Sequence, residues 1–123
     1  MSNYKDLTFE NKLWKAADKL RKKVEVHEYK YIVLGLFFLR YISFAFEEVR
    51  EQLKKEYKSN PNLEKILEDK DYYLSEGVLY VPEKARWDYI KSNANVNNIG
   101  EIIDNAIEIL EKEYPKQLGD VIP

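Results

Sequence analysis

Apolar and polar positions divide this chain into helix-length stretches. From Leu7 to Lys23 the residues Phe9, Leu13, Ala16, Ala17, Leu20 and Val24 recur at spacings of three and four. That is one face of a helix, and Thr8 stands where an N-cap belongs. Val26 to Lys58 predicts one long second helix. Its opening, Tyr29 to Glu48, is apolar almost without interruption, although Gly35 and Arg40 lie inside it. A helix that is apolar all round has to be enclosed by others, so this stretch organises the domain. Further on, Phe46, Val49, Leu53 and Tyr57 mark a single inner side. Ser59-Asn60-Pro61 ends the helix, because proline removes a donor and disfavours helix just before itself. Gly35 costs about 1 kcal/mol relative to alanine in a helix interior, which predicts close approach of another helix.

The remaining elements are shorter. Asn62 to Asp69 predicts a short helix resting on Leu63, Ile66 and Leu67. Glu76-Gly77 reads as a turn, and Val78-Leu79-Tyr80-Val81 favours extended backbone, so one small β-hairpin is expected here. Pro82 opens a helix containing Ala85, Arg86, Trp87, Tyr89 and Ile90, ending near Ser92-Asn93. Asn98 and Glu101 have the form of a capping box for a last helix, Ile99 to about Tyr114, stopped by Pro115. Residues 117–123 carry no cap of their own, as if the chain continued. The expected fold is mainly α: a single domain, 1–123, forming a helical bundle around a long buried central helix.

Composition refines this picture. Hydrophobic residues are 45% and charged residues 34%, the balance of a globular domain. Tyr31 to Phe46 is shorter than the ~20 residues a membrane-crossing helix needs, and Arg40 interrupts it, so no membrane is expected. The absence of Cys excludes disulfides and Cys-based zinc sites, and with no secretory signal before the first helix it predicts a cytoplasmic protein. Net charge is −2, so the chain as a whole is no electrostatic nucleic-acid binder. The charge is uneven, however. Lys and Arg outnumber acids between Tyr4 and Lys30, and the second half holds most of the acids.

Catalytic chemistry is sparse. One His, His27, and no Cys leave almost no basis for a nucleophile–base pair, and His27 reads as a surface or capping residue. The carboxylates at Glu47-Glu48 and from Glu64 to Asp71 look like solvated helix faces without metal-ligand spacing. The four glycines are too scattered for a phosphate loop. Asn60-Pro61-Asn62-Leu63 invites comparison with the Asn/Asp-Pro-Pro-aromatic loop that holds a flipped adenine. It lacks both the second proline and the stacking ring, and reads as a helix-stop turn.

Three segments together resemble the N-terminal domain of the modification (DNA methyltransferase) subunit of type I restriction–modification systems. The first is Asn11 to Arg21. The second comprises Tyr29-Lys30, Leu34-Gly35-Leu36, Phe38 to Ser43 and Ala45-Phe46-Glu47. The third is Val81-Pro82-Glu83 with Ala85 to Tyr89, then Asn98-Ile99-Gly100 and Ile103-Asp104. Their order and spacing cover nearly the whole chain. Two positions depart from the family pattern: Lys22 stands where glycine is common after Leu-Arg, and Phe44 where aspartate commonly follows the Tyr-Ile-Ser run.

The resemblance implies a helical domain ahead of a larger methyltransferase domain that binds S-adenosylmethionine and methylates adenine N6 in DNA. It implies a second modification subunit, a specificity subunit and restriction subunits as partners. The N-terminal domain would help close the assembly around DNA. This chain carries neither the cofactor loop nor the target-amine loop, so no cofactor and no catalytic residue is expected in it. Candidate phosphate contacts are Lys12, Lys15, Lys19, Arg21, Lys22 and Lys23, with a solvated helix face as the other reading. Arg86 and Trp87 are candidates for subunit contact, or else a core Trp87 with Arg86 paired to an acid. The alternative function is a stand-alone α-helical protein–protein interaction module without DNA binding.

Overall fold

The structure is a computed structural model that describes residues 4–115, with side chains from Asn11 onward. The fold is mainly helical, and no strand occurs among the described residues. In chain order the helices are α1 (Tyr4–Leu20), α2 (Val26–Glu56), α3 (Leu63–Leu67), α4 (Lys70–Leu74), α5 (Trp87–Asn93) and α6 (Ile99–Glu113). A 3₁₀ turn, Glu83–Ala85, precedes α5. Thr8 lies inside α1 rather than at its start, because the helix already begins at Tyr4. Residues 117–123, whose composition hinted at a continuing chain, lie outside the described residues.

α2 is the axis of the bundle. Its inner side, Ile32, Leu36, Leu39, Ile42, Phe46, Val49 and Leu53, is buried in one continuous core. α6 lies against it through Ile99, Ile103, Ala106, Ile107 and Leu110, a stripe at helical spacing. Gly35 is a point of close approach between the two helices. A methyl added there would stand 2.7 Å from Ile103 Cγ2 and 3.3 Å from Ile107 Cδ1. The glycine predicted to admit a neighbouring helix admits α6.

Three local expectations give way to tertiary contacts. Val78 to Val81 forms no strand and joins no hairpin. Its backbone is satisfied by a side chain instead: the Tyr114 hydroxyl accepts from Tyr80 N at 2.9 Å and donates to Tyr80 O at 3.1 Å. The helix expected after Pro82 is broken at Arg86, whose backbone is extended (φ −73°, ψ 145°). That break aims Trp87 N–H at the buried Ser43 hydroxyl, which accepts at 2.6 Å. Asn98 caps α6 without a side-chain bond to the helix. Its amide accepts from Asn95 N at 2.7 Å and donates to Asn93 O at 3.0 Å, so it knits the connector and no capping box forms.

α4 is an element the sequence pattern did not announce. Asp69 starts it by accepting from Asp71 N at 3.0 Å. Gly77, at φ 78°, ends the segment: Val78 N–H reaches back to Tyr73 O and Gly77 N–H to Leu74 O, a closure that favours glycine.

Three substitutions test these contacts. Gly35→Ala is expected to lower stability by about 1 kcal/mol, because overpacking of about 1–3 kcal/mol exceeds the gain in helix propensity. Gly100→Ala, where a new methyl meets Ile32 Cδ1 at an ordinary 3.7 Å, should leave stability unchanged or raised in the same urea titration. Ser43→Ala strands the Trp87 N–H in the core and is expected to cost about 1–3 kcal/mol, read as a lower urea midpoint at unchanged slope.

Candidate functional site

Three features are candidates for function: a basic edge, a polar pin at Glu68, and an exposed apolar stripe. The basic edge is formed by α1 and the turn after it. Lys12, Lys15 and Lys19 follow one another at spacings of three and four on the exposed side of α1. α1 ends at Leu20, so Arg21, Lys22 and Lys23 lie in the turn before α2, all exposed. Arg21 is paired with Asp18 at 3.5 Å. The opposite side of α1 is anchored by Leu13 and Ala17, both buried. The six cations therefore occupy one end and one flank of the domain.

Arg86 and Trp87 lie apart from that edge in character. Trp87 is buried, 6.5 Å from Trp14 of α1 between ring centroids, and its Nε1 has no hydrogen-bond partner among the described residues. Arg86 donates through Nε to Val81 O at 2.8 Å, and its NH2 group lies 3.3 Å from Glu68. Its guanidinium also covers the Phe46 ring at 4.8 Å. Arg50 of α2 approaches the same carboxylate at 3.3 Å and donates to Leu67 O at 3.2 Å. The Tyr80 hydroxyl donates to Glu68 as well. Glu68 thus gathers α2, the α3–α4 corner and the segment before α5 at one point.

Electrostatics follow from this geometry. Burial alone would raise the Glu68 carboxyl, but Tyr80, Arg86 and Arg50 outweigh it and hold it below the usual carboxylate range. The partner tyrosine moves the other way: burial and the bond to Glu68 push the Tyr80 hydroxyl up to about 12. Glu47 is raised by burial, against the pull of Arg86 and Arg50.

The Asn60-Pro61-Asn62-Leu63 segment forms the tight turn between α2 and α3. Asn60 Oδ1 accepts from Asn62 N at 2.8 Å, and Asn60 O accepts from Leu63 N at 3.1 Å. The Asn60 side chain is thereby committed to its own backbone, as in an Asx turn.

The third feature departs from the expectation that α2 is enclosed all round. Leu34, Phe37, Tyr41 and Phe44 are 65%, 57%, 75% and 40% exposed, and their spacing puts them on one outer stripe. Trp14 rests on Phe37 at 5.0 Å, and the Arg40 guanidinium covers Phe44 at 4.6 Å. Phe44, the position that departs from the family pattern, is therefore part of this surface. The heptad spacing 34, 37, 41, 44 was present in the sequence. In a run apolar on every side, however, nothing distinguishes the face that stays outside. No helix among the described residues is long and apolar enough to cross a membrane.

The family model described as the HsdM N-terminal domain matches residues 9–123. The methylase subunit of the type I restriction enzyme MjaIX from Methanocaldococcus jannaschii is 59% identical over 124 residues, covering 94% of this chain and 22% of that protein. The chain therefore spans about a fifth of the length of that relative.

The polar pin gives a pH test. A carboxylate depressed in the folded state contributes stability above its unfolded pKa of about 4.3 and loses it as pH falls through the folded value. Glu68→Gln keeps hydrogen-bonding capacity but removes the charge. It is expected to be less stable than the parent at pH 7, by about 1 kcal/mol or less given the partial exposure of Glu68. The gap should close as denaturation midpoints are followed below about pH 4.

Proposed function

The chain belongs to the HsdM N-terminal domain family, the N-terminal domain of a type I restriction–modification methylase subunit, and from that membership we propose that it is a non-catalytic domain that braces the assembly on DNA and contacts neighbouring subunits. The observation that supports the DNA half of this reading is the exposed basic edge. Lys12, Lys15, Lys19, Lys22 and Lys23, with Arg21 beside Asp18, present a cationic flank on a domain whose net charge is −2. Such a flank suits phosphates, which position a protein on a duplex without reading its sequence.

Methyl transfer from S-adenosylmethionine to adenine N6 is assigned, in this reading, to the remaining length of the full subunit. A specificity subunit, restriction subunits and a second modification subunit are its partners in the cytoplasm. Within this chain the Asn60 turn has its side chain bonded to its own backbone and offers no stacking ring, which supports a bracing rather than a catalytic role.

A second reading, a protein–protein interaction module without DNA contact, is favoured by the net charge and by the outer stripe of α2. A salt series separates the two. Weak duplex binding that strengthens steeply as salt falls is expected, with a log–log slope reduced by about one for each phosphate contact removed. Lys15→Gln, Lys19→Gln and Lys23→Gln should each reduce that slope and weaken binding equally across DNA sequences. No binding at about 50 mM salt, alone or with the other subunits, favours the module reading.

A further inference from the structure

The outer stripe of α2 carries a pattern beyond simple exposure. At heptad spacing the stripe extends from Leu34, Phe37, Tyr41 and Phe44 to Lys30 and His27 on one side, and to Glu48 and Glu51 on the other. All eight are exposed. The apolar centre of the stripe thus has Lys30 and His27 at one end and Glu48 and Glu51 at the other. We propose that this stripe is a docking surface for a second copy of the same chain, paired antiparallel about a two-fold axis. The proposal rests on the subunit-contact half of the function above and names its surface.

The charge pattern selects the partner and its direction. In a two-fold pair the same patch meets itself. Let Phe37 of one copy lie opposite Tyr41 of the other. Antiparallel geometry then sets Leu34 opposite Phe44, Lys30 opposite Glu48 and His27 opposite Glu51, all from one choice of axis. Four apolar side chains meet four, each Lys30 meets the Glu48 carboxylate, and His27, beside Glu25 of its own copy, lies opposite Glu51, which Lys54 already bonds. In a parallel pair each position meets its own copy, so Lys30 faces Lys30 and Glu48 faces Glu48, which repel. Two fixed contacts hold the surface ready: Trp14 packs on Phe37, and Arg40 covers Phe44.

Area sets the strength. Large side chains bury ~150–250 Å² each, so four at these exposures offer on the order of 450 Å² per copy. Two copies with their charged rims reach about 1,000 Å², the lower bound for a specific interface. The pair should therefore be a weak, concentration-dependent dimer whose affinity comes from the rings and whose register comes from the charges.

The test is sedimentation equilibrium of the full chain from about 1 µM to about 1 mM, the range expected for an interface of this size. A monomer–dimer equilibrium is expected. Leu34→Glu and Tyr41→Glu, both at exposed positions, should abolish it with helical content and thermal midpoint unchanged. Lys30→Glu and Glu48→Lys should each weaken the dimer several-fold, and the double exchange should restore it. The chain has no cysteine of its own, so a mixture of Lys30→Cys and Glu48→Cys chains should form a disulfide-linked heterodimer under mild oxidation, while Lys30→Cys chains alone should not.

A chain monomeric throughout overturns the proposal. So does a dimer indifferent to Leu34→Glu and Tyr41→Glu, or one linked through Lys30→Cys alone. If the stripe instead binds the rest of the methylase subunit supplied separately while the chain stays monomeric, self-pairing is likewise refuted. Duplex binding by the parent chain, measured in the same salt series, keeps the outcomes apart: its absence refutes the DNA reading, and its presence in a chain that forms no dimer refutes only this surface.

Discussion

A long helix sheathed in apolar residues cannot be covered by a few short ones, and the architecture follows from that mismatch. α2 runs from Val26 to Glu56, whereas α3, α4 and α5 each make only one or two turns. The molecule concentrates its coverage on one side. α6 is seated where Gly35 removes a side chain, close enough that Ile103 and Ile107 occupy the vacated space. α1 covers a neighbouring strip through Leu13 and Ala17. Among the described residues the row from Leu34 to Phe44 stays largely exposed, touched by α1 only where Trp14 rests on Phe37. Burial of apolar area drives the fold, so leaving such a row outside sacrifices stability unless something else uses it.

Polar contacts decide how the short elements meet the long one. Ser43 is buried within α2, and its hydroxyl finds the first N–H of α5, an amide that a helix start leaves without an internal partner. Glu68 does the same work on the other flank, where Arg50, Arg86 and Tyr80 converge. Each bond is worth little net, but a group stranded there carries the full desolvation cost. These contacts therefore fix geometry more than they add stability. They explain the break at Arg86: a continuous helix could not send its guanidinium to Glu68 and the next amide to Ser43.

The basic edge and the apolar stripe flank one another along α1 and the outer side of α2, joined through Trp14 and Phe37. This adjacency suits the proposed bracing role, in which nucleic acid and protein would both be met from one side. Trp87, whose residue type suggested an interface, has been drawn inward. The exposed rings are those of the α2 stripe instead.

Much of this was legible in the chain. Residue spacing determined that the domain is helical, that α2 is central, that α6 presents Ile99, Ile103 and Ile107 inward, and that Gly35 marks a close approach. Those features are local, set by a repeat of 3.6 residues and by the absence of a side chain. The lysines of α1 could be assigned to a surface for the same reason. The tertiary structure alone decided the rest. Val78 to Val81 has the composition of a strand but found Tyr114 before any partner strand. Asn98 and Glu101 spell a capping box, yet the connector claimed the amide. The outer face of α2 could not be chosen from a run that is apolar on every side, because which face stays outside depends on where α1 and α6 land. Periodicity reports which residues share a side of one helix; only packing among helices reports which side meets water.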